Sequence, residues 1–417
     1  MIKCLSFVGT GPLNPARYTY QNMTCDSNII QKALTDFFHP DTITLFVTGK
    51  ARERNLSYVI NSLDCPSVSV IDIPSGNSEK EMWDIFTIIA REVAADDNIL
   101  LDITHSFRFL PFLAFLTSLY IREVTGGTIS GILYGAYESG EDIFDNTGEK
   151  RRISPVINLT SFITLVDWMM AVRSFVSFAD ARGIRNMIQN HTRSAAIQEQ
   201  TDPETSLDDN IVQFAESLHT FTSSVQLARS IEGTYAASRV LKDLNHVQTK
   251  IASEIPPLGP VLGKISDLQS YAGIISSMSC WEHLEKERAI ITYQVHNGLY
   301  LQAAELAREW MVSAVICSAG FGAKKLKENI RNEAETALHS LVRKMKHQHY
   351  PVTGIIKRLE KKEGWEEVAT IWISITHIRN DLAHCGMNEV FGNSRTLEKQ
   401  VCEIPEKLKR FFEIIRG

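Results

Sequence analysis

The strongest constraint on this chain is a change of period along its length. Over roughly the first 155 residues, short apolar runs alternate with stretches of helical spacing, and from Ser161 onward only the helical spacing persists. Ile2–Val8 ends in Gly9-Thr10-Gly11-Pro12, Thr42–Val47 closes on Thr48-Gly49, and Val68–Ile73 closes on Pro74-Ser75-Gly76. Ile99–Ile103 runs into Thr104-His105-Ser106, and a fifth run covers Thr128–Tyr134. Between these runs, Ile29–Phe38, Glu79–Ala95 and Phe109–Glu123 read as helices. Strands apolar on both faces and separated by helices predict an open, Rossmann-like, parallel α/β sheet covered on both sides. The remainder predicts an all-α region, with helices over Phe162–Ala179, Leu284–Cys317, Lys325–Lys346, Gly354–Lys362 and Val368–Ala383. Breaks are expected at the acidic stretch 198–209 and at the Pro/Gly-bearing stretch 255–263. The expected boundaries are an α/β domain over 1–158, a helical connecting region over 159–280 and a helical domain over 281–417.

Composition removes several alternatives. With 417 residues, 44% hydrophobic and 22% charged, the chain is too apolar and too varied for a disordered or fibrous protein. Its seven cysteines, Cys4, Cys25, Cys65, Cys280, Cys317, Cys385 and Cys402, form no C-x-x-C pair and follow no secretory leader. They are expected to be reduced thiols of a cytoplasmic protein. The longest apolar run, Phe109–Tyr120, is interrupted by Pro111, Thr117 and Ser118, so no membrane span is expected. The net charge of −6 argues against a general nucleic-acid coat protein. Its distribution is uneven: Trp281–Gly417 carries 21 basic and 18 acidic residues, while the remainder carries 22 and 31. A polyanion should prefer the C-terminal third.

In an open parallel sheet, ligands settle outside the carboxyl ends of the strands, near the point where strand order reverses. Those ends carry Gly9, Thr10 and Gly11, then Thr48 and Gly49, then Asp102 through Arg108 (DITHSFR). Glycines, small hydroxyls, a His and an Arg suit phosphate and ribose oxygens. G-T-G-P lacks the third glycine of a dinucleotide fingerprint, and no G-x-x-x-x-G-K-[ST] loop is present. A plainer alternative is that Thr104 and Ser106 cap the following helix while Arg108 balances Asp102.

The second feature is Ile371–Gly386 (IWISITHIRNDLAHCG). At about 100° per residue, Ile371, Ile375, Ile378 and Leu382 fall in one stripe, the expected core face. Arg379, Asn380 and His384 lie about 70°, 170° and 210° from the stripe's centre. Trp372, Ile373 and Ala383 lie on or beside that arc, and this mixture suggests a surface covered by a second copy of the chain. Chemically, Arg plus His is what RNA cleavage without a metal ion needs. An imidazole can take the ribose 2′-OH proton or protonate the departing 5′-oxygen, and a guanidinium stabilises the charge building at phosphorus. Asn380 can orient the phosphate or the imidazole. No spacing of Asp, Glu and His suggests a two-metal nuclease, so no metal site is expected.

Taken together, G-T-G after the first strand, D-I-T-H-S-F-R after the fourth and R-N-D-L-A-H near the end resemble the CARF–HEPN ancillary ribonucleases of type III CRISPR systems. The likeness covers nearly the whole chain in architecture, but its specific anchors are these segments; the region 160–280 matches no named module. The resemblance implies a homodimer. Its paired CARF domains would bind a cyclic oligoadenylate, most simply cyclic tetra-adenylate, through Gly9, Thr10, Gly11, Thr48, Thr104, His105, Ser106 and Arg108. Its paired HEPN domains would form one RNase site from Arg379, Asn380 and His384, cutting single-stranded RNA with no required cofactor and serving antiviral defence. Some CARF domains also slowly cleave their activator, and Thr10, Thr104 and His105 are the residues for that here. A different class of function also fits the residues: a non-catalytic nucleotide sensor whose helical region binds nucleic acid or a protein. A small-molecule enzyme fits less well, because the crevice offers no carboxylate pair or nucleophile–base arrangement.

Overall fold

The computed structural model describes residues 1–105, 109–144, 150–199, 209–254, 262–263, 265, 267–273, 277–352, 354–387 and 393–417. The chain divides into two compact units, Met1–Val166 and Asp167–Gly417. The first is an α/β unit and the second is helical, which is the fold class expected from the change of period.

Among the described residues, nine strands form the sheet: β1 (Ile2–Phe7), β2 (Ala16–Tyr20), β3 (Met23–Ser27), β4 (Thr42–Val47), β5 (Val68–Asp72), β6 (Asn98–Asp102), β7 (Thr128–Gly135), β8 (Asp142–Phe144) and β9 (Lys150–Asn158). Their order is β3-β2-β9-β7-β6-β1-β4-β5, with β8 paired to β9. The five strands anticipated from sequence make the parallel part, β7-β6-β1-β4-β5. The sheet is not wholly parallel, however. β9 runs antiparallel to β7, and β2 and β3 form an antiparallel hairpin beyond it. That hairpin turns through Gln21-Asn22, with Gln21 in the left-handed region at φ 50°. Its strands escaped the hydrophobic pattern because they carry Arg17, Thr19, Thr24 and Asp26.

Alternation along the parallel strands feeds two cores. Cys4, Val8, Ile43, Leu45 and Leu100 pack on one face with Ile30, Ala33 and Leu34 of helix α1 (Ile30–Phe38). Leu5, Phe7, Phe46 and Leu101 pack on the other with Ile85 and Ile89. Helix α2 (Gly49–Ala51) continues through a π-turn at Arg52–Leu56 into α3 (Ser57–Ser62). Helices α4 (Glu79–Arg91) and α5 (Leu110–Tyr120) complete the cover.

Helix α6 (Ser161–Phe178) contains the boundary between the units. By length and composition it could cross a membrane, with a mean hydropathy of 1.3. This differs from the sequence reading, which Asp167, Arg173 and the interspersed hydroxyls of α6 obscured.

The helical unit continues with α7 (Arg182–Glu199), α8 (Asp209–Gln226), α9 (Ser230–Glu254), α10 (Cys280–His296), α11 (Tyr300–Ser318), α12 (Glu328–Met345), α13 (Gly354–Leu359), α14 (Trp365–Ala383), α15 (Ser394–Cys402) and α16 (Ile404–Arg416). One core joins Trp168, Phe214, Phe221, Trp310, Ile375 and Phe411. The expected break at 198–209 lies mostly outside the described residues, as does most of that at 255–263. The expected single helix over Leu284–Cys317 is two, because Asn297-Gly298 ends α10 with Gly298 at φ 71°. That turn folds α11 back along α10 and brings Cys280 and Cys317 together as a disulfide, Cα–Cα 6.0 Å apart. Two of the seven cysteines are therefore paired, at a separation of 37 residues that no local motif marks.

Inside this unit lies a charged cluster. His283, Glu287 and Ser230 are all buried; the Ser230 hydroxyl donates to Glu287 Oε1 at 2.9 Å, and Lys325 Nζ contacts His283 Nδ1. Burial pushes the His283 imidazole below its ordinary value of 6.5, Glu287 opposes this and Lys325 adds to it. A histidine held neutral by folding takes its proton more readily in the unfolded chain. Its contribution is complete above pH 6.5 and is lost as pH falls below that value. The unfolding free energy should decline from pH 7 towards pH 5, and His283→Gln should make that decline shallower in denaturant titrations. Parallel pH profiles would exclude His283 as a source.

Candidate functional site

The first site follows from strand order. β1 leads to β4 and β5 on one side, and the chain then returns to place β6 and β7 on the other. The switch point lies at the carboxyl ends of β1 and β6, where crevices form in such sheets. A cavity of 240 Å³ opens there, lined by Gly9, Thr10, Gly11, Thr48, Thr104 and His105. A neighbouring recess of 150 Å³ shares Thr104 and His105 and adds Tyr18, Asn28, Tyr134 and Tyr137. Six of the eight residues expected at the ligand are thus gathered at one place. Ser106 and Arg108 lie outside the described residues.

Local bonds hold this rim. A Cβ at Gly9 would sit 3.1 Å from the His105 Cβ, a tight contact, so a side chain here would press on His105. The Gly9 and Gly11 carbonyls accept from Asn55 Nδ2 at 2.8 and 2.9 Å, and the Thr10 carbonyl accepts from Arg54 Nη1 at 3.2 Å. Neither Arg54 nor Asn55 was singled out by sequence; a polar residue just inside the helix that follows Thr48-Gly49 was the available signal. Asp102, fully buried, accepts the Ser6 hydroxyl at 2.6 Å and the Thr104 amide at 2.9 Å. The Thr104 hydroxyl accepts from the Gly135 amide at 2.8 Å, tying β6 to β7 instead of capping a helix. Burial pushes the His105 imidazole below 6.5, against the opposing charge of Asp102. Its Nε2 is buried with no hydrogen-bond partner among the described residues. A neutral imidazole between two recesses can donate or accept towards a ligand's hydroxyl or phosphate groups.

The second site is the end of α14. Val368, Ile371, Ile375 and Ile378 are buried as the helical stripe requires, and Leu382 packs against the same core. Arg379 and Asn380 are half-buried and His384 is exposed at the C-cap. Arg379 Nε donates to Glu305 of α11 at 3.0 Å, and its Nη1 donates to Asn380 Oδ1 at 3.1 Å. The guanidinium is therefore aimed by two acceptors, and Glu305 is a partner that sequence reading missed, being 74 residues away. Beyond His384 the chain turns away sharply through Cys385 at φ 55° and Gly386 at φ 69°. Trp372 does not share the open arc: it is 1% exposed, with His339 of α12 edge-on and the Arg308 guanidinium over its ring. Its cover comes from its own chain, a consequence of helix packing that a helical wheel does not contain.

No family model matches the chain. Over 127 residues, 30% of its length, it is 27% identical to the CRISPR-associated protein MJ1674 of Methanocaldococcus jannaschii. The matched stretch spans only 19% of that protein. A solved structure, Enterococcus italicus Csm6 bound to cyclic hexa-2′-fluoro-hexa-dAMP, aligns with a TM-score of 0.44 at 10% identity, covering 100% of this chain and 94% of the other. The chain is thus similar in sequence to a CRISPR-associated protein, with an α/β sheet followed by a helical region.

Proposed function

We propose that this chain is a cyclic oligoadenylate-activated endoribonuclease of type III CRISPR defence, a CARF-like sheet unit joined to a HEPN-like helical unit, acting in the cytoplasm. The observation that carries the reading is the coexistence of two sites in one chain. One is a crevice of glycines, small hydroxyls and a neutral histidine at a sheet switch point. The other is an Arg379–Asn380–His384 group at a helix end, with the arginine and asparagine half-buried and the histidine exposed. The similarity to a CRISPR-associated protein supports the same setting.

In the crevice, the backbone amides of Gly9, Thr10 and Gly11 donate to the phosphates of the ring, and Thr48, Thr104 and His105 meet its ribose oxygens. Tyr134 and Tyr137 offer aromatic surface to an adenine in the adjoining recess. Two copies are needed for a ring lying across a two-fold axis. Exposed apolar side chains support such pairing: Phe112, Leu116 and Tyr120 on α5, and Phe162, Met169, Met170 and Phe178 on α6. At the helix end, His384 takes the proton of the ribose 2′-OH as its oxygen attacks phosphorus. The P–O5′ bond breaks, the 5′-oxygen receives a proton from the partner subunit's imidazole, and a 2′,3′-cyclic phosphate and a 5′-hydroxyl remain. Arg379 stabilises the phosphorane charge. Ring binding shifts an existing equilibrium between slack and competent dimers.

The experiment is direct. Labelled RNA is incubated with the protein and EDTA, with and without cyclic tetra-adenylate or cyclic hexa-adenylate. Fragments ending in 2′,3′-cyclic phosphate should accumulate with one ring, expected to be the tetra-adenylate. Absence of fragments with every ring would leave the alternative, a nucleotide sensor without catalysis.

A further inference from the structure

Within the helical unit, a cavity of 780 Å³ lies among α9, α10, α11 and α12, in the size range of small-molecule sites. We infer that it receives a nucleobase of the RNA substrate and favours bases that carry an exocyclic amine. The inference rests on the reading of Arg379 as the arginine at the scissile phosphate. Glu305 joins the two places, since it lines the cavity and grips the Arg379 guanidinium. A phosphate held by Arg379 therefore leaves an adjacent nucleoside within reach of the cavity.

The wall decides which base. It presents the carboxylates of Glu287, Glu305 and Glu309 beside the Trp310 ring. Glu309 is held by Arg308 at 2.7 Å and Arg331 at 2.6 Å, and Glu287 is held by Ser230 at 2.9 Å. Each carboxylate has about four acceptor positions, so these bonds fix it without exhausting it. Of the neighbouring donors, Arg229 is paired with Glu232 at 2.8 Å, and Arg331 and Ser313 are turned to the protein. Arg331 donates to Ser313, the Lys325 carbonyl and Glu309, while the Ser313 hydroxyl donates to the Glu309 carbonyl. A cavity offering acceptors favours a ring that brings donors. Cytosine presents an amine where uracil presents a carbonyl oxygen, and the two rings are otherwise alike in size.

The test uses the full chain carrying His384→Ala, so that binding is read without cleavage. Fluorescence anisotropy with labelled rC6 and rU6 should show rC6 bound about tenfold more tightly, the worth of one hydrogen bond to a charged acceptor. Adding Glu309→Gln, which places a donor in the wall, should bring the ratio towards one. So should Leu326→Trp, a substitution at an exposed rim position that does not disturb the buried charges. Equal affinities for rC6 and rU6 in the His384→Ala protein would overturn the inference. The same holds for thermal stabilisation by spermidine while the two RNAs bind alike, which would assign the cavity to a small cation. A preference for rC6 that Glu309→Gln removes, in a protein whose wild type cuts no RNA, would keep the cavity and sink only the nuclease reading.

Discussion

His384→Ala should lower ring-stimulated RNA cleavage by at least about a hundredfold, the lower end of what a positioned acid–base group contributes. Ring binding should stay at its wild-type strength. The substitution is clean because His384 is exposed at the end of α14, and its side chain makes no hydrogen bond or ion pair among the described residues. Surface changes of this kind shift stability by about 0.5 kcal/mol or less. Arg379→Ala is a poorer probe: it also leaves Glu305 and Asn380 without their shared partner, so lost activity would mix chemistry with local repacking. Calorimetric titration with the ring, alongside initial cleavage rates, separates the two properties. Cleavage by His384→Ala at the wild-type rate would remove this histidine from the reaction.

Gly9→Val should have the opposite signature, with ring binding weakened on the order of a hundredfold, the upper range for a size mismatch in a pocket. Unstimulated RNA cleavage should be preserved. The valine Cβ would meet the His105 Cβ at 3.1 Å and its Cγ at 3.5 Å, and the two methyl groups would enter a cavity of only 240 Å³. Gly11→Ala is the matched comparison. A Cβ at Gly11 meets nothing within 4 Å, so that protein should bind the ring far more nearly as wild type does. Full ring-dependent activation of Gly9→Val would show that the activator sits elsewhere.

The parts of the molecule legible in sequence are those whose cause is local. Strands β1, β4 and β6 and the second half of β7 are largely buried, so each is a short, nearly continuous apolar run, while β5 at the sheet's end keeps only a half-buried Val68, Val70 and Ile71. The edge pair β2 and β3 and the basic start of β9 (KRRISPVIN) are partly solvated, and their mixed composition does not separate strand from loop. The stripe of Ile371, Ile375 and Ile378 announces the inner face of α14, but the same periodicity does not say that α12 covers Trp372. Likewise Asn297-Gly298 carried a stop signal inside an otherwise apolar stretch, and the stop prevailed because Gly298 takes the left-handed conformation at little cost.

What the sequence determined by itself was the two-part architecture, the glycine and hydroxyl turns that end the strands, and the placement of Arg379, Asn380 and His384 near one helix end. Each follows from spacing within a few residues. Only the tertiary structure decided that Gly9 faces His105, that Asn55 and Arg54 hold the intervening loop, and that Glu305 aims Arg379 while bordering a separate cavity. Those neighbours are set by strand order and helix packing, which bring together residues tens of positions apart through burial shared across whole elements.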